Sequence, residues 1–306
     1  MAEHPAAPLA ESGPVVNTSE TRSVGRRLVD LPWWFFGIVV IALWAAFTIA
    51  TNANYTTAAL RIFTGGKPLT LASALRWAIF VTLRISLVAY LIAAILGLIT
   101  GLARMSNNVV LKNASRLYIE LVRGIPMLVL IFFIALVLVP AAIGMIHGLG
   151  EWLNSLGLTA IGGVFSSIDP RKVPMEFRAV IALAITYGAF LAEVFRAGIQ
   201  SIGRGQMEAA RSLGMSYGHA MRYVILPQAI RNILPALGND FVSMVKDSSL
   251  VSLLAVGDIT QSAKLYSGST FRFREAYVTL SVLYLTMTVL LSLGVQAYER
   301  SLRGHE

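Results

Sequence analysis

Apolar residues in this chain come in long unbroken runs, and polar residues gather in the stretches between them. The runs occupy roughly residues 33–50, 78–102, 118–143, 180–197, 234–256 and 277–297. Each is close to the ~20 residues that an α-helix needs to cross a hydrocarbon core. Barrel strands alternate apolar and polar positions and do not give continuous runs of this length, so helix is the element expected in lipid. The pattern predicts an all-α membrane protein with about six transmembrane helices. Residues 1–31 are rich in Pro, Ser, Glu and Arg, lack hydrophobic periodicity and read as a flexible tail. Trp33, Trp34, Phe35 and Phe36 open the first run with aromatics of the interfacial kind. That run is longer than a signal-peptide core and follows a long tail, which favours a retained anchor over a cleaved signal. The expected organisation is a tail (1–31), a first span with its outer loop (32–74) and a larger transmembrane domain (75–302). The segment 144–176 reads as a short interfacial helix plus loop.

Composition supports the same class. Hydrophobic residues make up 56% and charged residues 13% of the 306 positions, with a mean hydropathy of +0.68. Soluble domains carry about 25% charged residues, so no sizeable soluble domain fits alongside the spans. The net charge of +9 is spread over short loops and forms no block, which argues against a nucleic-acid partner. With the N-terminus inside, Arg22, Arg26, Arg27, Arg104, Lys112, Arg116, Arg204, Arg211, Arg222, Arg231, Arg300 and Arg303 are cytoplasmic. Arg61, Lys67, Arg171, Lys172, Lys264, Arg272 and Arg274 are then outside, a bias that puts both termini in the cytoplasm. Cysteine is absent, which excludes disulfides and thiolate metal sites.

One polar loop, at about 198–227, is longer than a passive connector and carries its own helix signals. Gln206, Met207, Glu208, Ala209, Ala210, Arg211 and Leu213 are mostly good helix formers, Glu208 suits an early turn, and Gly214 suits a C-terminal stop. Ala209 and Ala210 allow close backbone approach, and Glu208 and Arg211 at i and i+3 put charge at the edge of that contact. Pro227 limits how the next helix begins. These features fit a rigid docking peg, and they also fit an ordinary amphipathic surface helix.

The stretch resembles the signature loop of ABC importer permeases: Glu-Ala-Ala, three residues, Gly, nine residues, then Ile-x-Leu-Pro. Glu208-Ala209-Ala210, Gly214 and Leu226-Pro227 keep that spacing, with Val224 in place of Ile. Tyr118-x-Glu120-x-x-Arg123-Gly124-x-Pro126, Ala189-Phe190-x-Ala192-Glu193-x-x-Arg196, Pro227-Gln228-Ala229 and Lys246-Asp247-Ser248-Ser249-Leu250 are similar to motifs of the polar amino-acid branch, which includes histidine, glutamine, glutamate, arginine and opine types. Phe190 stands where Tyr is common, and Ser248 where Thr is. The likeness runs from about residue 75 to 302 and leaves the tail and first span outside it.

The resemblance implies a five-helix type I permease core plus one extra N-terminal span, in the cytoplasmic membrane of a prokaryote. It implies a coupling helix seated in a groove of an ATPase subunit, carried by Gln206, Glu208, Ala209, Ala210, Arg211, Gly214, Leu226 and Pro227. The implied partners are ABC ATPase subunits in two copies, a second identical or homologous permease, and a periplasmic or lipid-anchored amino-acid-binding protein. ATP and Mg would then belong to the ATPase, with no cofactor on this chain. In keeping with that, no Gly-x-x-x-x-Gly-Lys-Ser/Thr phosphate loop occurs; Gly65-Gly66-Lys67-Pro68 lacks the first Gly and the hydroxyl residue. His4, His147, His219 and His305 show no ligand spacing.

Ionisable groups inside spans are costly and need a partner or a wet cavity. Asp240, Ser243 and Asp247 share one helical face, and Lys246, Ser248 and Ser249 lie beside them. Two readings stay open: a translocation path, or a structural network in which Lys246 neutralises a carboxylate. Pro235 or the Asp247-Ser248-Ser249 run would break this helix. Glu193 with Arg196, and Glu120 with Arg123, are either intrahelical ion pairs or gate residues. Arg84 either snorkels to the outer surface or meets a substrate carboxylate. An ion-coupled secondary amino-acid transporter is the alternative function. An intramembrane enzyme is disfavoured because Asp240 and Asp247 sit about 10 Å apart along one helix.

Overall fold

The computed structural model describes residues 33–64 and 78–303, and every element among them is helical. The tail, residues 65–77 with Lys67, the histidines at 4 and 305, and the side chains of Trp33, Trp34, Phe35, Phe36 and Arg303 lie outside the described part. The chain divides into units 1–41 and 42–306. Helix α1 (Trp33–Thr51) opens the described chain, and the second unit continues with α2 (Ala53–Thr64), α3 (Ala78–Met105), α4 (Val109–Gly124) and α5 (Met127–Ser155). It is completed by α6 (Thr159–Ser166), α7 (Met175–Gln200), α8 (Arg204–Ser212), α9 (Tyr217–Ala220), α10 (Leu226–Asp247), α11 (Ile259–Thr270) and α12 (Phe273–Arg303).

Among the described residues four helices are long and apolar enough to cross a membrane: Ala78–Met105, Met127–Ser155, Met175–Gln200 and Phe273–Ser301. That is fewer than the six expected. The run at 118–143 is not one helix, because α4 stops at Gly124 and α5 starts after Pro126. Pro126 disfavours helical backbone at the residue before it, and Ile125 is extended at φ −104°, ψ 137°. The span is regained further along, since α5 runs to Ser155 rather than ending near 143. In the segment 144–176 α6 folds back on α5 at a turn where Gly157 has φ +84°. The two helices meet so closely that a Cβ on Gly150 would lie 2.3 Å from the Ser166 amide nitrogen.

The run at 234–256 differs more. Pro235 lies inside α10 without ending it, whereas the helix changes to a 3₁₀ segment at Ser248–Leu254 and stops at Ala255, which is left-handed at φ 56°. The chain restarts as α11 with its orphan amides fully met. The Asp258 amide donates to the Val256 carbonyl (2.8 Å), its carboxylate accepts from the amides of Gln261 (2.9 Å) and Thr260 (3.2 Å), and Thr82 Oγ1 accepts from that of Ile259 (3.2 Å). A helix start buried in an apolar bundle needs all four, because no water is there to supply them.

The bundle is organised around α3 and α7. Arg84 pairs with Glu176 at one end and Arg104 with Glu193 at the other, so the two helices run in the same direction. Small residues let them touch. A Cβ on Gly97 would be 2.7 Å from Leu191 Cβ, and one on Gly101 would be 2.8 Å from the Ala192 carbonyl oxygen. Such contacts trade side-chain volume for backbone proximity, the usual means of association in lipid. A second cluster joins α2, α11 and α12 through Ala58, Ile62, Ile259, Ala263, Ala276 and Leu280. Gly101→Val should cost about 1–3 kcal/mol through overpacking. Thermal unfolding of the purified chain should show a lower midpoint, with Gly101→Ala affected less; an unchanged midpoint would contradict the close crossing.

Candidate functional site

Two features stand out: the loop bearing α8, and the polar seam along α10. Helix α8 begins after Gly203 and ends in a Schellman arrangement. The Met215 amide donates to the Ala210 carbonyl (3.2 Å) and the Gly214 amide to that of Arg211 (3.0 Å), with Gly214 at φ +82°. Glycine takes that conformation without the Cβ penalty any other residue would meet. Ser216 then caps α9 by accepting from the His219 amide, and a π-helical turn, Met221–Ile225, leads into α10. The extra residue of the π-turn precedes Pro227, whose ring would clash with the carbonyl four residues back in a regular helix. Gln228 Nε2 donates to the Val224 carbonyl at 2.9 Å and approaches Gln206 Oε1 at 3.5 Å, which ties α8 loosely to the start of α10.

The loop's surface differs in detail from the expected peg. Glu208, Ala209 and Arg211 are exposed, as is Gln206, but Ala210 is only 4% exposed and packs against its own chain. The small-residue face is therefore split, with Ala210 seating the helix and Ala209 left outward. Glu208 and Arg211 make no ion pair with each other; Glu208 Oε atoms are free of such contacts among the described residues. Leu226 is half-buried and Pro227 exposed. Leu213 stands outside the expected docking set, yet at 84% exposure it is the most open large apolar side chain of the loop. Beneath α8, Met207 and Ile202 join Ile199 of α7, Ile225 of the π-turn, and Ala229 and Ile233 of α10 in one apolar cluster. A Cβ on Gly198 would lie 2.1 Å from Ile233 Cγ1, and Asn232 donates to Ser201 Oγ at 3.0 Å, so α7 and α10 are locked together directly under the loop. The spacing of Ile202, Met207 and Ala210 is the sequence signal for this buried stripe.

Along α10, Asp247 accepts a hydrogen bond from Tyr187 Oη of α7 at 2.6 Å, and Tyr90 Oη of α3 donates to the Leu237 carbonyl at 2.6 Å. Tyr90 also meets Phe241 edge-on at 5.2 Å. Asp240, Ser243 and Ser249 are half-buried, and Ser248 is buried with its hydroxyl on the Val245 carbonyl (2.7 Å). Lys246 is exposed and makes no ion pair among the described residues, so it does not neutralise Asp247. The tyrosines are absent from the residues singled out by sequence; a phenol inside an apolar run is the signal that a hydrogen bond is there to be found.

The carboxylate of Glu193 lies between Arg196 of its own helix (2.8 Å) and Arg104 of α3, with its side chain 19% exposed. The intrahelical pair thus exists but is shared with a second helix. Glu120 and Arg123 do not form the corresponding pair: Arg123 sits 5.7 Å over the Phe190 ring instead. Arg84 does not stand alone, since it pairs with Glu176. Removing the shared carboxylate leaves two guanidiniums facing each other. Glu193→Ala should cost roughly 1–3 kcal/mol, below the about 3–5 kcal/mol of a fully buried pair. A fall in unfolding midpoint smaller for Glu193→Gln would fit; no fall in either would not.

The profile of the family described as "Binding-protein-dependent transport system inner membrane component" matches residues 93–304. The chain is 36% identical over 222 residues to the probable glutamine ABC transporter permease protein GlnM of Bacillus subtilis, covering 72% of this chain and 89% of that one. It is 32% identical over 222 residues to the glutamine transport system permease protein GlnP of Escherichia coli K12, covering 72% and 90%. Among solved structures, a chain from an amino acid ABC transporter crystallised with histidines superposes with a TM-score of 0.60 at 34% identity, covering 77% of this chain and 100% of that one. The MetNI methionine ABC transporter in an inward-facing form shares the fold, with a TM-score of 0.54 at 18% identity, covering 73% and 93%.

Proposed function

Because this chain belongs to the family of inner-membrane components of binding-protein-dependent transport systems, we propose that it is the permease through which an ATP-driven importer moves a polar amino acid across the bacterial cytoplasmic membrane. The observation that carries this reading is the α8 loop, a short helix stopped rigidly at Gly214 and bolted by one apolar cluster to both α7 and α10. The partners are two ABC ATPase subunits, a second permease of the same or a homologous kind, and a binding protein that is periplasmic or lipid-anchored. Both termini are cytoplasmic. ATP and Mg reside on the ATPases, and this chain makes and breaks no covalent bond.

The mechanism follows from what is joined to what. Closure of the ATPases pushes on Glu208, Ala209, Arg211 and Leu213, the outward side of α8. Ala210, Met207 and the cluster beneath transmit that displacement to α7 and α10. These two helices also carry the Tyr187–Asp247 bond, so their tilt changes the seam that holds Asp240, Ser243, Asp247, Ser248 and Ser249. Two arrangements of that packing, biased by the nucleotide state of a partner, suffice for alternating access. Glu120, Arg123, Glu193 and Lys246 border the route as gate residues. The relatives do not favour the ion-coupled alternative.

Two measurements test this reading. Gly214→Val forces a β-branched residue into φ +82° and should reduce ATP-dependent uptake to background while the chain still inserts. Uptake at the normal rate would remove the coupling assignment. Asp240→Asn should lower uptake roughly tenfold or more, the effect of about 1.4 kcal/mol on a barrier, while co-purification with the ATPases is retained. Unchanged transport would exclude Asp240 from the route.

A further inference from the structure

A cavity of about 360 Å³ opens between the ends of α3 and α7 and the start of α4, lined by Arg104, Met105, Lys112, Arg116, Arg196 and Gln200. Four of those six residues are cationic. Arg104 and Arg196 share the one carboxylate of Glu193, and Lys112 and Arg116 have no ion pair among the described residues. Arg104 faces the like charges of Arg196, Arg116 and Arg123, with the carboxylates of Glu193 and Glu120 in opposition. Positive charge gathered this tightly at a low-dielectric boundary calls for an anion.

Helix α4 indicates where the anion comes from. Ser115, Ile119 and Val122 face the bundle, while Lys112 and Arg116 stand one turn apart on a second face. On a third, turned away from both, Val110, Leu117 (61% exposed) and Leu121 (55% exposed) form an exposed apolar stripe. That stripe suits contact with lipid, which puts α4 and the cavity at the membrane boundary, where the anions at hand are phospholipid head groups, their phosphate oxygens matching guanidinium donors in pairs. The geometry points to a binding site for the head group of an anionic phospholipid, with the phosphodiester on Arg104, Lys112, Arg116 and Arg196. The cavity shares the end of the bundle that carries α8, so the lipid belongs to the cytoplasmic leaflet; only that leaflet assignment rests on the proposed orientation.

Lipid retention by the full-length chain, purified in detergent and offered equal amounts of phosphatidylglycerol and phosphatidylcholine, is read by native mass spectrometry. The wild-type chain should retain phosphatidylglycerol preferentially. Lys112→Gln combined with Arg116→Gln should reduce that preference by about thirtyfold, because two cationic side chains no longer face the phosphate. Lys112→Arg with Arg116→Lys should keep it, which separates loss of charge from loss of fold. Equal retention of both lipids by the wild-type chain, or an unchanged preference in the double Gln variant, would overturn the site. Displacement of phosphatidylglycerol by millimolar inorganic phosphate would overturn the lipid as its occupant. The measurement needs neither ATP nor partner subunits, so its outcome is independent of the coupling reading.

Discussion

A chain embedded in lipid must satisfy its backbone polar groups from within, and here that requirement decides where helices can stop. Two stops fall inside apolar sequence, and each is provided for. At Ile125–Pro126 the proline removes a donor and the chain resumes at once as α5. After Asp247 the helix tightens to 3₁₀, turns through left-handed Ala255 and restarts under the carboxylate of Asp258 and the hydroxyl of Thr82. Asp258 is 1% exposed, a position that a carboxylate can hold only with several donors aimed at it.

The same constraint explains why the polar seam of α10 turns inward. Asp247 and the Leu237 carbonyl take their hydrogen bonds from tyrosines of α7 and α3, the two helices already brought together by Gly97 and Gly101. Tyrosine serves well in this position because its ring packs as an apolar body while its hydroxyl reaches the partner. The α3–α7 pair acts as a rigid frame, whereas α10 contacts it through a few polar and small-residue points. At its start α10 is locked to α7 by Gly198 against Ile233 and to α8 by the apolar cluster. Under the proposed coupling, a push at the loop would reach the polar seam through packed side chains, which deform little and transmit displacement.

Much of this was legible in the chain itself. Run length specified helices in lipid, since only length and polarity enter that decision. The loop at 198–227 was readable because its signals are local: helix formers, a glycine stop and a proline, each acting within a turn of its own position. Asp240, Ser243 and Asp247 were recognisable because a fixed helical period puts them on one face. Where local signals conflicted, the outcome was less predictable. Pro235 and the Asp-Ser-Ser run were both potential breaks, and only the latter became one.

What the sequence determined alone was the class of element, its approximate length and the presence of a helix with a glycine stop in the loop, all consequences of nearest-neighbour chemistry along one chain. What only the tertiary structure decided was pairing. Glu193 lies between Arg196, three residues away, and Arg104, on another helix; Arg123 left Glu120 for the face of Phe190; and Ala210 turned inward while Ala209 did not. Partners far apart in sequence meet only after helices have packed, and their crossing is set by which small residues allow two backbones to touch.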